Sequence, residues 1–306
     1  MYLANDVREF YLAHLDELPF DKQFHFTSRL SAWSNDQVSI RHLETLKSQL
    51  LPEGMPVKSL LEGIINKPPA VQVNAAGKRA EYFKKYPQLR GVMLALFRVR
   101  HLLYIYNIDL RQDLLEITSY DYLHNLAVQL NQDEDALRML STYAINCMYL
   151  IEEILYDKAT GLISPEKYYN LADSYHNGDA DDNLLLIYLY THCIIGDTNF
   201  YYHPINEQRR IIYLKMLARL EKLIADNFDN LNLDNKLEFL VCSRICGYKS
   251  NLFQRIFKEC EQSVSPEGMF LIDTINKAKQ EKKTSLADSE HRNVLFIMSS
   301  TPFKNI

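Results

Sequence analysis

Apolar residues recur every three or four positions along most of the chain, which is the spacing of one face of an α-helix. No segment shows the strict alternation of apolar and polar residues that a half-buried β-strand requires. The pattern predicts two or three helices within residues 1–50 and a short helix over Val57–Ile65. Three longer helices are predicted next, at Leu89–Tyr106, Leu114–Leu130 and Asp135–Tyr156.

The second half of the chain alternates between two kinds of helix. The segment Asn183–Ile195 is apolar almost all round, and such a helix is usually buried on every side. The segment Asn206–Phe228 has one apolar and one charged face, as a surface helix does. Buried and amphipathic helices in alternation predict an all-α protein with two helical layers. Further helices are predicted near residues 165–174, 232–246, 251–262, up to about 280, and 289–300.

Several helix ends carry residues that cap helices. Asp21 stands at the start of an apolar helical run, where a carboxylate accepts hydrogen bonds from free backbone amides. Asp36 directly precedes the next helical run. Gly196 follows the apolar run that ends at Ile195, and glycine is the usual residue just past a helix. We therefore predict that Asp21 caps a helix and that Gly196 ends one.

The weakest helical pattern lies in residues 51–78. This window contains five helix-breaking residues, Pro56, Gly63, Pro68, Pro69 and Gly77. Because such residues concentrate in loops and at boundaries, they predict a division of the chain there. We expect a small N-terminal helical unit over residues 1–78 and a larger helical domain over residues 79–306.

Charge and hydropathy exclude two classes of partner. The 306-residue chain has a net charge of −5, and its cations are scattered rather than clustered on one face, so we expect no nucleic acid. The longest apolar run, Leu184–Tyr190, is far shorter than the ~20 residues of a membrane span. Charged residues also interrupt the N-terminal segment, so we expect neither a signal peptide nor a membrane partner.

The five cysteines fall mostly inside apolar helical patterns, which is typical of reduced, buried thiols and predicts a cytoplasmic protein. Cys242 and Cys246 have the i, i+4 spacing of a metal-ligand pair, but no second pair has zinc-finger spacing nearby. Glycine-rich phosphate loops and metalloprotease or redox motifs are also missing. We therefore predict neither a metal nor a cofactor, and the oligomeric state stays open.

His192 is the one titratable residue deep inside the apolar run of residues 183–195. Two interpretations are open. It is either a core histidine bonded to a carbonyl or tyrosine, or a ligand or acid–base group that faces a pocket. Tyr188 lies one helical turn earlier, so it is expected on the same face.

Polar clusters flank this run at both ends. Asp181 and Asp182 precede it and complement the helix dipole. A second cluster follows Gly196 and comprises Asp197, Tyr201, Tyr202 and His203. A helix of this length spans about 20 Å, so the two clusters cannot form one small site. Each is either a ligand-binding surface or ordinary helix-end structure.

Two polar turns carry a family resemblance. The sequences Asp157-Lys-Ala-Thr-Gly-Leu162 and Ser265-Pro-Glu-Gly-Met-Phe270 each place a glycine before an apolar residue and a following helix. They resemble turns of α/α-toroid proteins, the group that includes six-hairpin glycosidases, terpenoid cyclases and lanthionine cyclases. The segment with Thr191, His192, Thr198 and Phe200 is also similar to a group of uncharacterised bacterial helical proteins. The resemblance covers roughly residues 85–306 and implies a toroid-like array of helical hairpins.

In a toroid the first turns of inner helices line the mouth of a funnel. The resemblance therefore implies that Glu290 and His291, expected in the first turn of the last helix, face Asp181 and Asp182. A simple effect of Glu290 on the helix dipole is the alternative. His25 and Arg29 lie one turn apart in the N-terminal unit, where they either contribute to a site or form a partly packed face.

Two functions from different classes follow. The first is a cup-shaped helical binding protein for a peptide or a small molecule. The second is a toroid-type enzyme, a hydrolase or a tailoring enzyme of natural-product biosynthesis, in which His192 or His291 works with Glu290 and Asp197. The signature residues of the toroid enzymes are missing from the chain, and a fold alone does not specify a reaction. The binding function is therefore preferred.

Overall fold

The computed structural model describes residues 2–68, 78–155, 162–175, 180–272 and 284–305. These residues form sixteen α-helices, and their one β-type pairing is an isolated bridge between Val264 and Leu271. The predicted all-α class, an array of packed helices, is confirmed. The helices are α1 (Tyr2–Ala13), α2 (Phe20–Ser34), α3 (Gln37–Leu50), α4 (Val57–Asn66), α5 (Lys78–Lys85), α6 (Leu89–Tyr106), α7 (Arg111–Thr118), α8 (Tyr120–Gln132), α9 (Glu134–Leu140), α10 (Thr142–Leu155), α11 (Pro165–Leu171), α12 (Ala180–Asp197), α13 (Glu207–Asp226), α14 (Leu233–Cys246), α15 (Phe253–Gln262) and α16 (Leu286–Ser300).

The chain divides into two compact units. Unit 1 comprises Met1–Leu46 together with Phe200–Ile306, and unit 2 is the continuous segment Lys47–Asn199. Neither limit falls at residues 78/79, where the proline- and glycine-rich window places a boundary. That boundary stays a prediction.

Helix α16 is the centre of unit 1. It packs against α1, α2 and α14. From residue 289 to residue 299 every side chain is buried except His291, which is half buried. The helix begins at Leu286, where the Ser285 hydroxyl accepts a hydrogen bond from the Asp288 amide at 3.1 Å. The helix therefore starts three residues before the predicted start at Ser289. As a result, Glu290 and His291 lie in its second turn rather than in its first.

Helix α10 is the centre of unit 2. It packs against α6, α8 and α12, and its residues 144–151 are all buried. Helices α4 and α6 also approach each other closely. A Cβ atom built on Gly91 of α6 would lie 2.1 Å from the Ile65 carbonyl oxygen of α4, so only glycine permits this contact.

Two helices predicted as continuous are each interrupted at a serine. Ser119 (φ 61°) separates α7 from α8 and accepts a hydrogen bond from the Tyr122 amide through its side chain. Ser141 (φ 41°) separates α9 from α10 and donates its hydroxyl hydrogen to the Leu185 carbonyl at 2.9 Å. The Ser119 hydroxyl satisfies a free amide at the start of α8, whereas the Ser141 hydroxyl bonds to a carbonyl of α12.

Helix α12 runs through Gly196 and ends at Asp197, so the prediction that Gly196 ends the helix was wrong. The glycine is needed for packing instead, since a Cβ atom there would lie 2.6 Å from the Tyr149 ring. The helix is also not buried on every side. Leu184, Tyr188 and His192 form a stripe of half-buried residues at i, i+4 spacing.

The aspartates before α2 and α3 differ in their roles. Asp36 accepts a hydrogen bond from the Ser39 amide at 2.8 Å at the start of α3, a cap that the sequence pattern did not predict. Asp21 lies inside the first turn of α2, whose N-cap is Pro19, so it caps nothing. The predicted helix up to about residue 280 and most of the turn at residues 157–162 lie outside the described residues.

Two further findings bear on the sequence predictions. Within the described residues, none of the helices combines the length and apolarity that a bilayer crossing requires. All five cysteines are buried as free thiols.

Candidate functional site

The most unusual side chain in unit 1 is the carboxyl group of Glu290, which is fully buried in α16. Its Oε1 atom lies 2.7 Å from Nδ1 of His25 on α2. The His25 side chain keeps 32% of its accessible surface, so it is the part of this pair that solvent reaches. The pair therefore joins a buried carboxyl group to an accessible imidazole.

Two cations of α2 stand beside this pair. Lys22 Nζ lies 3.8 Å from Oε2 of Glu290, and the charge of Arg29 acts on the same carboxyl group. Lys22, His25 and Arg29 share one helix face because they are three and four residues apart. We call Lys22, His25, Arg29, Glu290 and His291 the α2–α16 cluster.

Two buried polar atoms of the cluster have no hydrogen-bond partner among the described residues. They are Oε2 of Glu290 and Nη1 of Arg29. A buried polar atom without a partner costs roughly 1–3 kcal/mol, and more when it is charged. Native proteins hold few such atoms, and a bound molecule that supplies the missing partners is one physical reason for them.

The environment of the pair determines where its proton resides. Burial raises the pKa of the Glu290 carboxyl group from 4.5 to about 8, against the smaller opposing effects of Lys22 and Arg29. Burial, followed by the charges of Arg29 and Lys22, lowers the pKa of His25 well below 6.5. At neutral pH these two shifts favour the uncharged pair, a protonated Glu290 carboxyl group beside a neutral His25 imidazole.

Aromatic groups border the cluster. The His291 ring lies 5.4 Å from the His25 ring, centroid to centroid, at an angle of 46°. On the other side, the Arg29 guanidinium lies 5.7 Å from the centroid of the buried Tyr201 ring. The cluster thus contains two predicted site residues, Glu290 and His291, and a third, Tyr201, contacts it through Arg29.

A network around Asn293 holds α16 in place one turn beyond Glu290. The Asn293 amide nitrogen donates to the Leu271 carbonyl at 2.9 Å, and its oxygen accepts from the Leu271 amide at 2.8 Å. It also donates to the Tyr11 hydroxyl, which in turn donates to the Leu286 carbonyl at 2.9 Å. These bonds fix the start of α16 and therefore the position of Glu290.

The arrangement supports two kinds of chemistry. The cations and the imidazole donate hydrogen bonds while Oε2 of Glu290 accepts them, which suits binding of a polar group. The shared proton of Glu290 and His25 also suits acid–base chemistry. Among the described residues, no three His, Cys, Asp or Glu side chains converge as a metal site would require.

His192 lies elsewhere, in unit 2. Its Nδ1 atom is 2.9 Å from Oδ1 of the buried Asn146 on α10, and its ring makes an edge contact with Tyr188 at 6.4 Å. The shared face of Tyr188 and His192 is as predicted. The imidazole is half buried rather than deep in the core, and one of its partners is the side-chain amide of Asn146.

The carboxylates of α12 lie at its two ends, as predicted. Asp182 pairs with Arg138 at 3.5 Å in the first turn, next to the exposed Asp181. Asp197 is the last residue of the helix. Because α12 has 18 residues, its ends are about 27 Å apart, which keeps these carboxylates in separate places. Asp181 and Asp182 belong to unit 2 and His291 to unit 1, so their predicted opposition across a funnel stays a prediction.

The three aromatic residues of the predicted cluster after α12 differ in how deeply they are buried. Tyr201 is buried against Trp33, with ring centroids 5.9 Å apart, and its carbonyl accepts a hydrogen bond from the Asn305 amide. Tyr202 is half buried near Lys304, and His203 is exposed. Of this predicted cluster, Tyr201 contacts the α2–α16 cluster, through Arg29.

Lys22 was missed by sequence reasoning, and His25 and Arg29 were recognised only as a possible contribution. The available signal was their spacing on one helix face. No local pattern identifies Glu290 as their partner, since 265 residues separate it from His25.

Comparison of the chain with family profiles, with curated proteins and with solved structures finds no match. The α2–α16 cluster is therefore interpreted from its own geometry.

Proposed function

We propose that the protein binds a peptide or a small polar molecule at the α2–α16 cluster. The observation that carries this proposal is the presence of two buried polar atoms that lack a hydrogen-bond partner among the described residues, Oε2 of Glu290 and Nη1 of Arg29. One requires a hydrogen-bond donor and the other an acceptor. An amide or a carboxylic acid carries both kinds of group.

The accessible imidazole supports the same proposal. His25 and Lys22 are both accessible to solvent, with 32% and 34% of their side-chain surface exposed. A ligand that contacts these two side chains lies next to the residues that contact the buried carboxyl group. The tyrosine and histidine rings at the border supply apolar contact area.

Capped amino acids, which carry an acetyl group and a methylamide, test the proposal because each presents amide donors and acceptors. We expect saturable binding of at least one of them in ligand-observed NMR titrations. Arg29→Gln should weaken this binding about ten-fold or more, because a charge-assisted hydrogen bond contributes roughly 1.5–3 kcal/mol. Arg41→Gln is the matched control, since Arg41 is an exposed arginine of α3 in the same unit. The absence of saturable binding, or equal affinity of the Arg29 and Arg41 variants, would contradict the proposal.

A second candidate function is acid–base catalysis, which the 2.7 Å contact between Glu290 and His25 favours. In such an enzyme the buried carboxyl group orients the imidazole and exchanges a proton with it, while the imidazole faces the substrate. Turnover of an activated ester by the purified protein, abolished in His25→Gln, would favour the enzyme. Binding without turnover favours the binding protein.

The finer elements of the sequence interpretation remain proposals. A cytoplasmic location is supported by the five buried free thiols, because reduced cysteines are typical of that compartment. The toroid-like arrangement of the helices is supported by the two glycine-containing turns and by the all-helical fold.

A further inference from the structure

Unit 1 contains a surface cavity of about 370 Å³ on the side of α14 and α15. It is lined by the last turns of α14, the connecting residues 248–251 and the first residues of α15. None of its lining residues belongs to the α2–α16 cluster, so it is a separate site. Its volume falls within the range of small-molecule pockets.

The charges of the lining are all of one sign. Arg244 and Lys249 line the cavity, and no aspartate or glutamate does. Arg244 donates through Nε to the Ser299 carbonyl at 2.8 Å, which fixes the guanidinium, yet neither Nη atom has an acceptor among the described residues. Lys249 is exposed and has no ion pair in the described part of the chain. The cavity therefore offers two cationic donors.

The connecting loop is held in shape from behind by Glu221 of α13. Its Oε2 atom accepts from the Tyr248 hydroxyl at 2.5 Å, and its Oε1 atom accepts from the Ser250 hydroxyl at 2.9 Å and from the Asn251 amide. Burial alone would raise the pKa of Glu221, but these hydrogen bonds outweigh it and lower the pKa below its usual value. The carboxylate thus stays ionised, and both of its oxygens accept hydrogen bonds from residues 248–251.

The apolar part of the lining comes from Leu240, which is buried, and from the half-buried Phe253. The Arg244 guanidinium lies 5.5 Å from the Phe253 ring centroid, so a cation and an aromatic surface stand together. Such a combination suits a ligand with a charged end and a flat apolar body.

We propose that this cavity binds a small organic anion, with its phosphate or carboxylate group on Arg244 and Lys249 and its apolar body against Leu240 and Phe253. Phosphate and carboxylate groups share the geometry that an arginine fork recognises. The site is independent of the function proposed for the α2–α16 cluster, and either proposal can fail while the other stands.

Four probes separate the parts of this proposal: phenyl phosphate, benzoate, inorganic phosphate and phenol. We expect saturable binding of phenyl phosphate or benzoate in saturation-transfer NMR titrations, and the stronger of the two identifies the anionic group. Inorganic phosphate lacks the body and phenol lacks the charge, so both should bind more weakly. Equal binding of phenol, or no saturable binding of either aromatic anion, would overturn the proposal.

Variants locate the site. Lys249→Gln should weaken binding about three-fold, as expected for an exposed cation. Arg244→Gln should weaken it about ten-fold or more. Lys258→Gln removes an exposed lysine of α15 outside the cavity and should leave affinity unchanged. If the Lys249 and Lys258 variants bind alike, the anion is held elsewhere. Arg244 also donates a hydrogen bond to the Ser299 carbonyl. The Arg244→Gln variant must therefore show the same melting curve as the wild type, so that weaker binding reports the loss of the cation and not of the fold.

Discussion

At the scale of single residues, Glu290 is the side chain whose position is hardest to explain by packing alone. It lies in a helix whose neighbouring residues are nearly all buried, and its own carboxyl group has no exposed surface. A charged carboxylate in such a place costs several kcal/mol. The proton that Glu290 keeps at neutral pH removes most of that cost, and the hydrogen bond to His25 satisfies one of its oxygens.

This proton predicts an unusual pH dependence of stability. The carboxyl group of Glu290 titrates near pH 8 in the folded state and near 4.5 in the unfolded state. Between these values the folded state holds one more proton, so stability falls as pH rises. His25 has the opposite shift and reduces stability only below about pH 6.5. Between pH 6.5 and 8 the Glu290 effect dominates, and its slope falls from about 1.4 kcal/mol per pH unit to about half of that at pH 8.

Glu290→Gln tests this prediction, because glutamine has nearly the same shape and its amide can still donate to His25. Relative to wild type, we expect the free energy of unfolding of the variant to rise by about 2 kcal/mol from pH 6.5 to pH 8. Urea unfolding followed by circular dichroism at several pH values measures it. Glu261→Gln, an exposed glutamate on α15, should show no such change. Parallel curves for wild type and Glu290→Gln would show that the carboxyl group is ionised throughout.

The sequence identifies Glu290 and His291 as candidates, yet it places them at a helix start where their charge affects the dipole. That error is physical. The apolar pattern predicts a helix over residues 289–300, whereas the Ser285 cap starts α16 at Leu286. The sequence does not identify His25 as the partner of Glu290, because their hydrogen bond depends on how α2 packs against α16.

At the scale of elements, long apolar periodicity predicts the helices well. The segment Leu89–Tyr106 is predicted with the same limits that α6 has. The same periodicity fails at Ser119 and Ser141, because the apolar stripe continues across each interruption. Only tertiary bonds, such as that from Ser141 to the Leu185 carbonyl, reveal the second break. Periodicity reports which face is buried, and it does not report whether the backbone is continuous.

Two helical glycines give a matched pair of predictions. Gly196→Ala should destabilise the protein by about 1–2 kcal/mol, because the new methyl group collides with the buried Tyr149 ring and the gain in helix propensity offsets only part of this. Gly63→Ala in α4 should stabilise it by about 0.5–1 kcal/mol, since nothing lies within 4 Å of the new Cβ atom. Urea denaturation measures both. Equal effects of the two substitutions would mean that Tyr149 does not constrain α12.

At the scale of the whole molecule, one of the two compact units is not a continuous stretch of the chain. Unit 1 is assembled from both ends of the chain, whereas unit 2 is one continuous segment. The proline- and glycine-rich window of residues 51–78 predicts a domain boundary at residues 78/79. Composition marks where the backbone is irregular, but a compact unit depends on which helices share a core.

The packing within each unit predicts how fragments behave. Helix α4 packs on α6 through the contact of Gly91 with the Ile65 carbonyl, and the pair belongs to unit 2. A fragment of residues 47–199 keeps that contact together with the core around α10. We expect it to be helical by circular dichroism and to unfold cooperatively on heating.

A fragment of residues 79–306 loses contacts in both units. In unit 2 it lacks α4, which exposes the α6 surface at Gly91. In unit 1 it lacks α1 and α2, which cover α16 and supply His25 to the buried Glu290. An uncovered buried carboxyl group and two exposed apolar helix faces should prevent a cooperative transition and allow binding of a hydrophobic dye. The reverse result, cooperative unfolding of residues 79–306 together with disorder of residues 47–199, would establish the boundary at residues 78/79. The two fragments therefore decide between a division set by helix-breaking residues and one set by shared cores.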